Sequence, residues 1–132
     1  MALLRKVLYL QALVWAALGL ALALAPRFVL VTILGQPRYT EYAWVRLGGV
    51  MSFTLALLMV MIAHRTEELW WWSWAFALMA AATAVIVTLN AAFGLPPGAS
   101  AWMWWVFAGV AWAFAIALAW GIGRAGLEHP PV

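Results

Sequence analysis

The chain has 132 residues, 69% of them hydrophobic and 8% charged, with a mean hydropathy of +1.01 and a net charge of +3. That little polar surface cannot cover a water-soluble globule, so the chain reads as an integral membrane protein of one domain, 1–132, with no room for a separate soluble module. It has no cysteine, which excludes disulfides, thiolate metal sites and cysteine nucleophiles; its seven basic residues are scattered at the ends of apolar runs, where they orient helices rather than grip nucleic acid.

Four apolar runs follow in chain order, each close to the roughly 20 residues that a helix needs to cross about 30 Å of hydrocarbon. The first, 7–24, lies behind Arg5 and Lys6 and has the outline of a signal peptide ending in Ala23-x-Ala25. It is longer than a signal core, and Pro26 would follow the cut, so it is expected to be a retained helix. Residues 26–41 hold an apolar stretch too short to span, which predicts a short helix lying in the interface or dipping into it. The remaining spans are predicted at 43–63, 69–89 and 101–122, the last two separated by GLPPG at 94–98. Thr40, Thr66 and Ser100 stand where helix N-caps are expected. The fold class is therefore all-α: an integral membrane four-helix bundle.

The fourth run alternates alanine with large residues and formally resembles a strand, but four strands cannot close a barrel and an open sheet edge is not tolerated in lipid. As a helix it shows two small-residue rows, Gly109, Ala113, Ala117 and Gly121 on one side and Ala111, Ala115 and Ala119 nearly opposite. Such rows let neighbouring helices approach closely, one inside the bundle and one from another chain. Similar spacing recurs at Gly48, Ser52 and Ala56, at Ala12 and Ala16, and at Ala17 and Ala21. With four spans both termini share a side; that side carries Arg5, Lys6, Arg65 and Arg124, against Arg27, Arg38 and Arg46 on the other. The margin favours cytoplasmic termini, in a bacterial inner membrane.

Polar chemistry is sparse. Arg46 lies about one turn into the second span, where it can reach outer headgroups or Glu41, and Asn90 is expected at a similar level. These three form the candidate contact for an anionic lipid headgroup or polar ligand head. Gln11, Ser52, Thr54, Ser73, Thr83 and Thr88 are mild polar groups expected to bond backbone or a neighbouring helix. There is no Asp, and Glu41, Glu67, Glu68 and Glu128 all lie at helix ends or in tails, so no buried carboxylate serves proton coupling or hydrolysis. The two histidines, His64 and His129, cannot flank a haem inside the bundle. No metal site is predicted; His64 beside Glu67 and Glu68 is a candidate pigment or metal ligand, but HRTEEL also reads as a polar turn in which Thr66 caps the third helix.

The tryptophans of ELWWWSW, Trp70, Trp71, Trp72 and Trp74, fall at about 0°, 100°, 200° and 40° around a helix, so they form a collar, of which one or two rings at most can face a partner. Trp102, Trp104 and Trp105 make a second belt at the opposite membrane surface.

The Gly35-Gln36-Pro37 turn that ends an apolar first outer loop, and the Arg46-x-x-Gly49 opening of the second span, resemble the small DoxX-like or DUF4345-like four-helix bacterial membrane proteins. That resemblance implies a bundle and carries no catalytic residues. Two functions fit the chain, neither enzymatic. One is an accessory or scaffold subunit that packs against other membrane protein subunits, of respiratory or photosynthetic type, or forms a homo-oligomer. The other is a site between helices for a lipid, quinone, carotenoid pigment or other hydrophobic molecule. No cofactor is predicted beyond such a bound lipid, quinone or pigment, and the remaining partners are membrane lipids.

Overall fold

The computed structural model describes residues 1–129 and is all-helical, with no strand among them. Helix α1 spans Ala2–Leu24, α2 Ala43–His64, α3 Thr66–Leu69, α4 Ser73–Phe93 and α5 Ala101–Glu128. A 3-10 turn, Trp70–Trp72, joins α3 to α4, so that Thr66–Phe93 acts as one span and the chain has four helices long and apolar enough to cross a membrane. This is the architecture of a multi-pass membrane protein. α1 lies between α2 and α5, and α4 packs along the far side of α5; α2 and α4 barely meet.

Each helix is apolar all round, because its outer face meets lipid, so hydrophobicity alone does not mark the packed face. Small residues do. At the α1–α2 crossing Gly19 faces Gly49: a Cβ built on Gly19 would lie 2.6 Å from the Gly49 carbonyl oxygen, and one on Gly49 2.6 Å from the Gly19 oxygen. Only a hydrogen on each Cα lets the two backbones come this close. Ser52 is part of the same contact, its Cβ 3.1 Å from a Cβ built on Gly19. Gly48, by contrast, is exposed, with nothing within 4 Å of a Cβ built on it. The packed face of α2 runs Gly49, Ser52, Ala56, Met59, Ala63, in alternating steps of three and four.

The same drift corrects the two alanine rows of α5. Steps of four advance about 40° per step around a helix, so neither row stays on one side. Gly121 is buried, 3.2 Å from Leu4 Cα when a Cβ is built on it, and Ala117 is half-buried, whereas Gly109 and Ala113 are exposed. Ala115 is buried and Ala111 half-buried, whereas Ala119 is exposed. The face that packs is Ala108, Ala111, Ala115, Leu118, Ile122 and Ala125.

The loop after α1 is held at both ends. Pro26 disfavours helical geometry in the residue before it, and Ala25 leaves the helix at φ −138°, ψ 60°. Phe28–Ile33 then forms one π-helical segment that buries Val29 and exposes Phe28 and Ile33. Gly35 turns the chain with φ +64°, a conformation glycine adopts without strain, and its carbonyl accepts a bond from the Ser100 amide at 3.3 Å. The buried Gln36 completes the dock: its Nε2 donates to the Leu34 and Ser100 carbonyls, both at 3.1 Å, and its Oε1 accepts from Trp104 Nε1 at 3.1 Å. Trp104 is thus a tie to the loop as well as a belt residue. Gln36→Leu is expected to leave the Trp104 indole without its partner and to speed deuterium exchange at the Ser100 amide, with exchange in the middle of α5 unchanged.

None of the three expected N-caps forms. α2 begins after Tyr42 rather than Thr40, and Ser100, though at the N-cap position of α5, makes no side-chain cap bond. Thr66 acts on the helix before it: its buried hydroxyl donates to Ala63 O at 2.6 Å and to Ile62 O at 3.4 Å, so it closes the carbonyls at the end of α2 instead of capping α3. At the same end of the bundle the Met1 ammonium bonds Glu128 Oε2 at 2.8 Å, which ties the start of α1 to the end of α5.

Candidate functional site

The polar residues at the membrane edges are engaged locally. Arg46 shares a helix face with Gly49, so the α1–α2 crossing brings it beside the end of α1, where Nη1 donates to the Ala23 carbonyl at 3.3 Å. A cation suits the carbonyl end of a helix, whose last C=O groups have no partner within it. Asn90 folds over the end of α4, its Oδ1 2.6 Å from a Cβ built on Gly94. Among the described residues no hydrogen bond or ion pair joins Arg46 to Glu41 or Asn90, both of which stay clear of the clefts described below.

The tryptophan collar divides. Trp71, Trp72 and Trp74 are exposed, while Trp70 is buried and its ring reaches within 3.6 Å of a Cβ built on Gly126 of α5. Trp102 and Trp105 are exposed at the other end. His64 is exposed in a shallow polar depression with Arg5, Arg65, Thr66, Glu67 and Glu68. Its ion pairs, Arg5–Glu67 at 3.8 Å and Arg65–Glu68 at 3.9 Å, are long and solvent-facing, which makes them weak. Among the described residues no three His, Cys, Asp or Glu side chains converge to hold a metal ion.

The structure gathers a different set of residues at mid-depth. Between α1, α4 and α5 lies a cleft of about 150 Å³, walled by Trp15 and Leu18 of α1, Thr83 and Val87 of α4, and Phe107 and Phe114 of α5, with Ala80 and Ala111 as its small-residue floor. No charged residue lines it. Gln11 does. It is 0% exposed, and neither its Nε2 nor its Oε1 has a hydrogen-bond partner. A buried amide without partners is costly in an apolar surround, by about 1–3 kcal/mol in mutational data. The sequence expectation that Gln11 would bond backbone or a neighbouring helix is therefore corrected: of the other residues that line the cleft only Thr83 and Trp15 carry a polar group, and neither bonds the amide. Thr88, in contrast, has one, since Trp112 Nε1 donates to its hydroxyl at 3.0 Å. Ser52 and Thr54 donate to the Gly48 and Val50 carbonyls of their own helix.

A sequence signal for this site exists. Gln11 is the one side chain in 7–24 that can both donate and accept through separate atoms, and it lies more than a turn inside the start of that run. A larger groove of about 430 Å³ separates α2 from α4 near the His64 end, lined by residues such as Leu55, Leu58, Ile62, Trp72 and Met79, and the Trp72 indole carries the one polar side-chain group in its lining. Comparison with protein-family models, with curated proteins and with solved structures finds no match to the chain.

Proposed function

We propose that this membrane protein binds a lipophilic small molecule between α1, α4 and α5, anchored by the Gln11 carboxamide. What carries the reading is that carboxamide: fully buried, without a partner, on the wall of an uncharged and mostly apolar cleft. Ligand sites combine this sort of apolar wall with one or two polar groups that orient the guest. Trp15, Phe107 and Phe114 supply flat aromatic surface to its body. The test is native mass spectrometry of the gently purified chain. The wild type is expected to retain a small molecule, and Ala111→Phe, which fills the cleft while keeping the Gln11 amide in the chain, is expected to lose it; equal retention by both sinks the reading.

An accessory role in a larger assembly is the second reading, supported by Gly109 and Gly123 on the outer side of α5, where a Cβ would meet nothing within 4 Å. A further helix could approach there closely. The end of the bundle that carries the termini also carries Arg5, Lys6, Arg65 and Arg124, and we assign it to the cytoplasmic side of a bacterial inner membrane.

A further inference from the structure

From the geometry around Gln11 we infer the chemical class of the guest: a long-chain amphiphile with a neutral head that carries a hydrogen-bond donor beside a carbonyl, as in a protonated carboxylic acid or a primary amide. The inference rests on the proposed ligand site and adds to it the identity of the head.

Three observations converge. First, both Nε2 and Oε1 of Gln11 are buried without a partner in the ligand-free fold, so a guest that bonds them shifts part of the cleft wall as it enters. A carboxamide donates from its nitrogen and accepts at its oxygen. A guest with acceptors only, such as a quinone, an ester or a keto-pigment, would answer Nε2 and leave Oε1 unpaired. A head with a donor and an acceptor side by side answers both through two parallel bonds, Nε2–H to its carbonyl and its O–H or N–H to Oε1. Second, no charged residue lines the cleft, so an anionic head would have no counter-ion in a low-dielectric site; the acid must be in its neutral form. Third, the site is deep. Gln11 lies more than a turn inside the apolar run 7–24, Thr83 near the middle of α4 and Ala111 near the middle of the apolar run 101–122. A phospholipid keeps its headgroup at the membrane surface and cannot place it there, whereas a neutral single-headed amphiphile can. The volume agrees: about 150 Å³ is some five water volumes, room for the head and the first few carbons. The tail would leave between Val14 and Val110, which line the cleft and are both exposed to lipid.

The test is a binding titration of the full chain in detergent with three probes of equal chain length: oleamide, oleic acid and methyl oleate. Oleamide is expected to bind equally from mildly acidic to mildly alkaline pH. Oleic acid is expected to match it at acidic pH and to weaken as the neutral acid is depleted. Methyl oleate, which lacks the donor, is expected to bind about tenfold more weakly or worse, because Oε1 stays buried and unpaired. In Gln11→Leu the oleamide preference should vanish, and the wild-type comparison stands on its own if that variant folds poorly. Equal binding of methyl oleate and oleamide to the wild type, or oleic acid binding that rises with pH, overturns the head assignment but leaves a lipophile site intact. No binding of any probe, together with no molecule retained by the purified wild type, overturns the ligand site itself.

Discussion

Gly49→Val is expected to separate α1 from α2 and leave little protein that survives purification as a single species. Gly49→Ala, the milder change, already sets a methyl group 2.6 Å from the Gly19 carbonyl oxygen and 2.7 Å from the Ala23 amide nitrogen. Both are backbone atoms, and neither can move without shifting its helix. Overpacking of this kind costs about 1–3 kcal/mol in a soluble core, occasionally more. Here the cost falls on the contact that joins the two most extensively packed spans, in a solvent that supplies no hydrophobic drive to offset it. About 3 kcal/mol is expected for Gly49→Ala, measured as the shift in a detergent unfolding titration. Gly48→Ala is the matched control: one residue away, with open space around it, it should change that midpoint little. A Gly48→Ala loss as large as that of Gly49→Ala would contradict the helix register described above.

Gln11→Leu is expected to abolish retention of the bound molecule while leaving the ligand-free protein at least as stable as the wild type. A residue that merely holds helices together behaves in the opposite way: its removal lowers stability, whatever becomes of a ligand. In the ligand-free fold the carboxamide has been stripped of partners, so an isosteric apolar side chain removes a cost of about 1 kcal/mol. The gain is held to that size because the same amide is poorly satisfied in a separated helix in lipid as well. The two measurements are a detergent unfolding midpoint for the delipidated protein and mass-resolved ligand content for the gently purified one. A lower midpoint for Gln11→Leu would show that the amide bonds something structural, a buried water for example, and would remove the main support of the ligand site.

Each polar side chain in the spans illustrates the same division of labour between sequence and structure. Arg46 was conspicuous in the sequence because an arginine inside an apolar run is rare, yet it bonds the Ala23 carbonyl three residues' reach from the α1–α2 crossing. Gln11 and Ser73 are both expected from sequence to bond backbone or a neighbouring helix, and both are buried without a partner, since a polar group is satisfied or stranded according to what stands near it. Thr66 faced the same ambiguity: its hydroxyl can reach backward or forward along the chain, and the break between α2 and α3 exposes the carbonyls of Ile62 and Ala63 to it. For Gln36, only the return of α5 past the loop supplies Ser100 and Trp104 as partners, 64 and 68 residues away in the chain.

What the sequence by itself determined was where the chain crosses the membrane: four apolar runs of spanning length, the helical rather than extended form of the fourth, the interfacial segment after Pro26 and the collar of indoles around the third span. Length, hydropathy and the need to satisfy every backbone group in lipid decide these one segment at a time. Only the tertiary structure decided which side of each helix faces its neighbour. In lipid both sides are apolar, so no hydrophobic stripe tells inside from outside, and the choice between Gly48 and Gly49 depends on the backbone that approaches. The cleft at Gln11 is decided at that level too, because it is formed by what α4 and α5 place opposite a single amide.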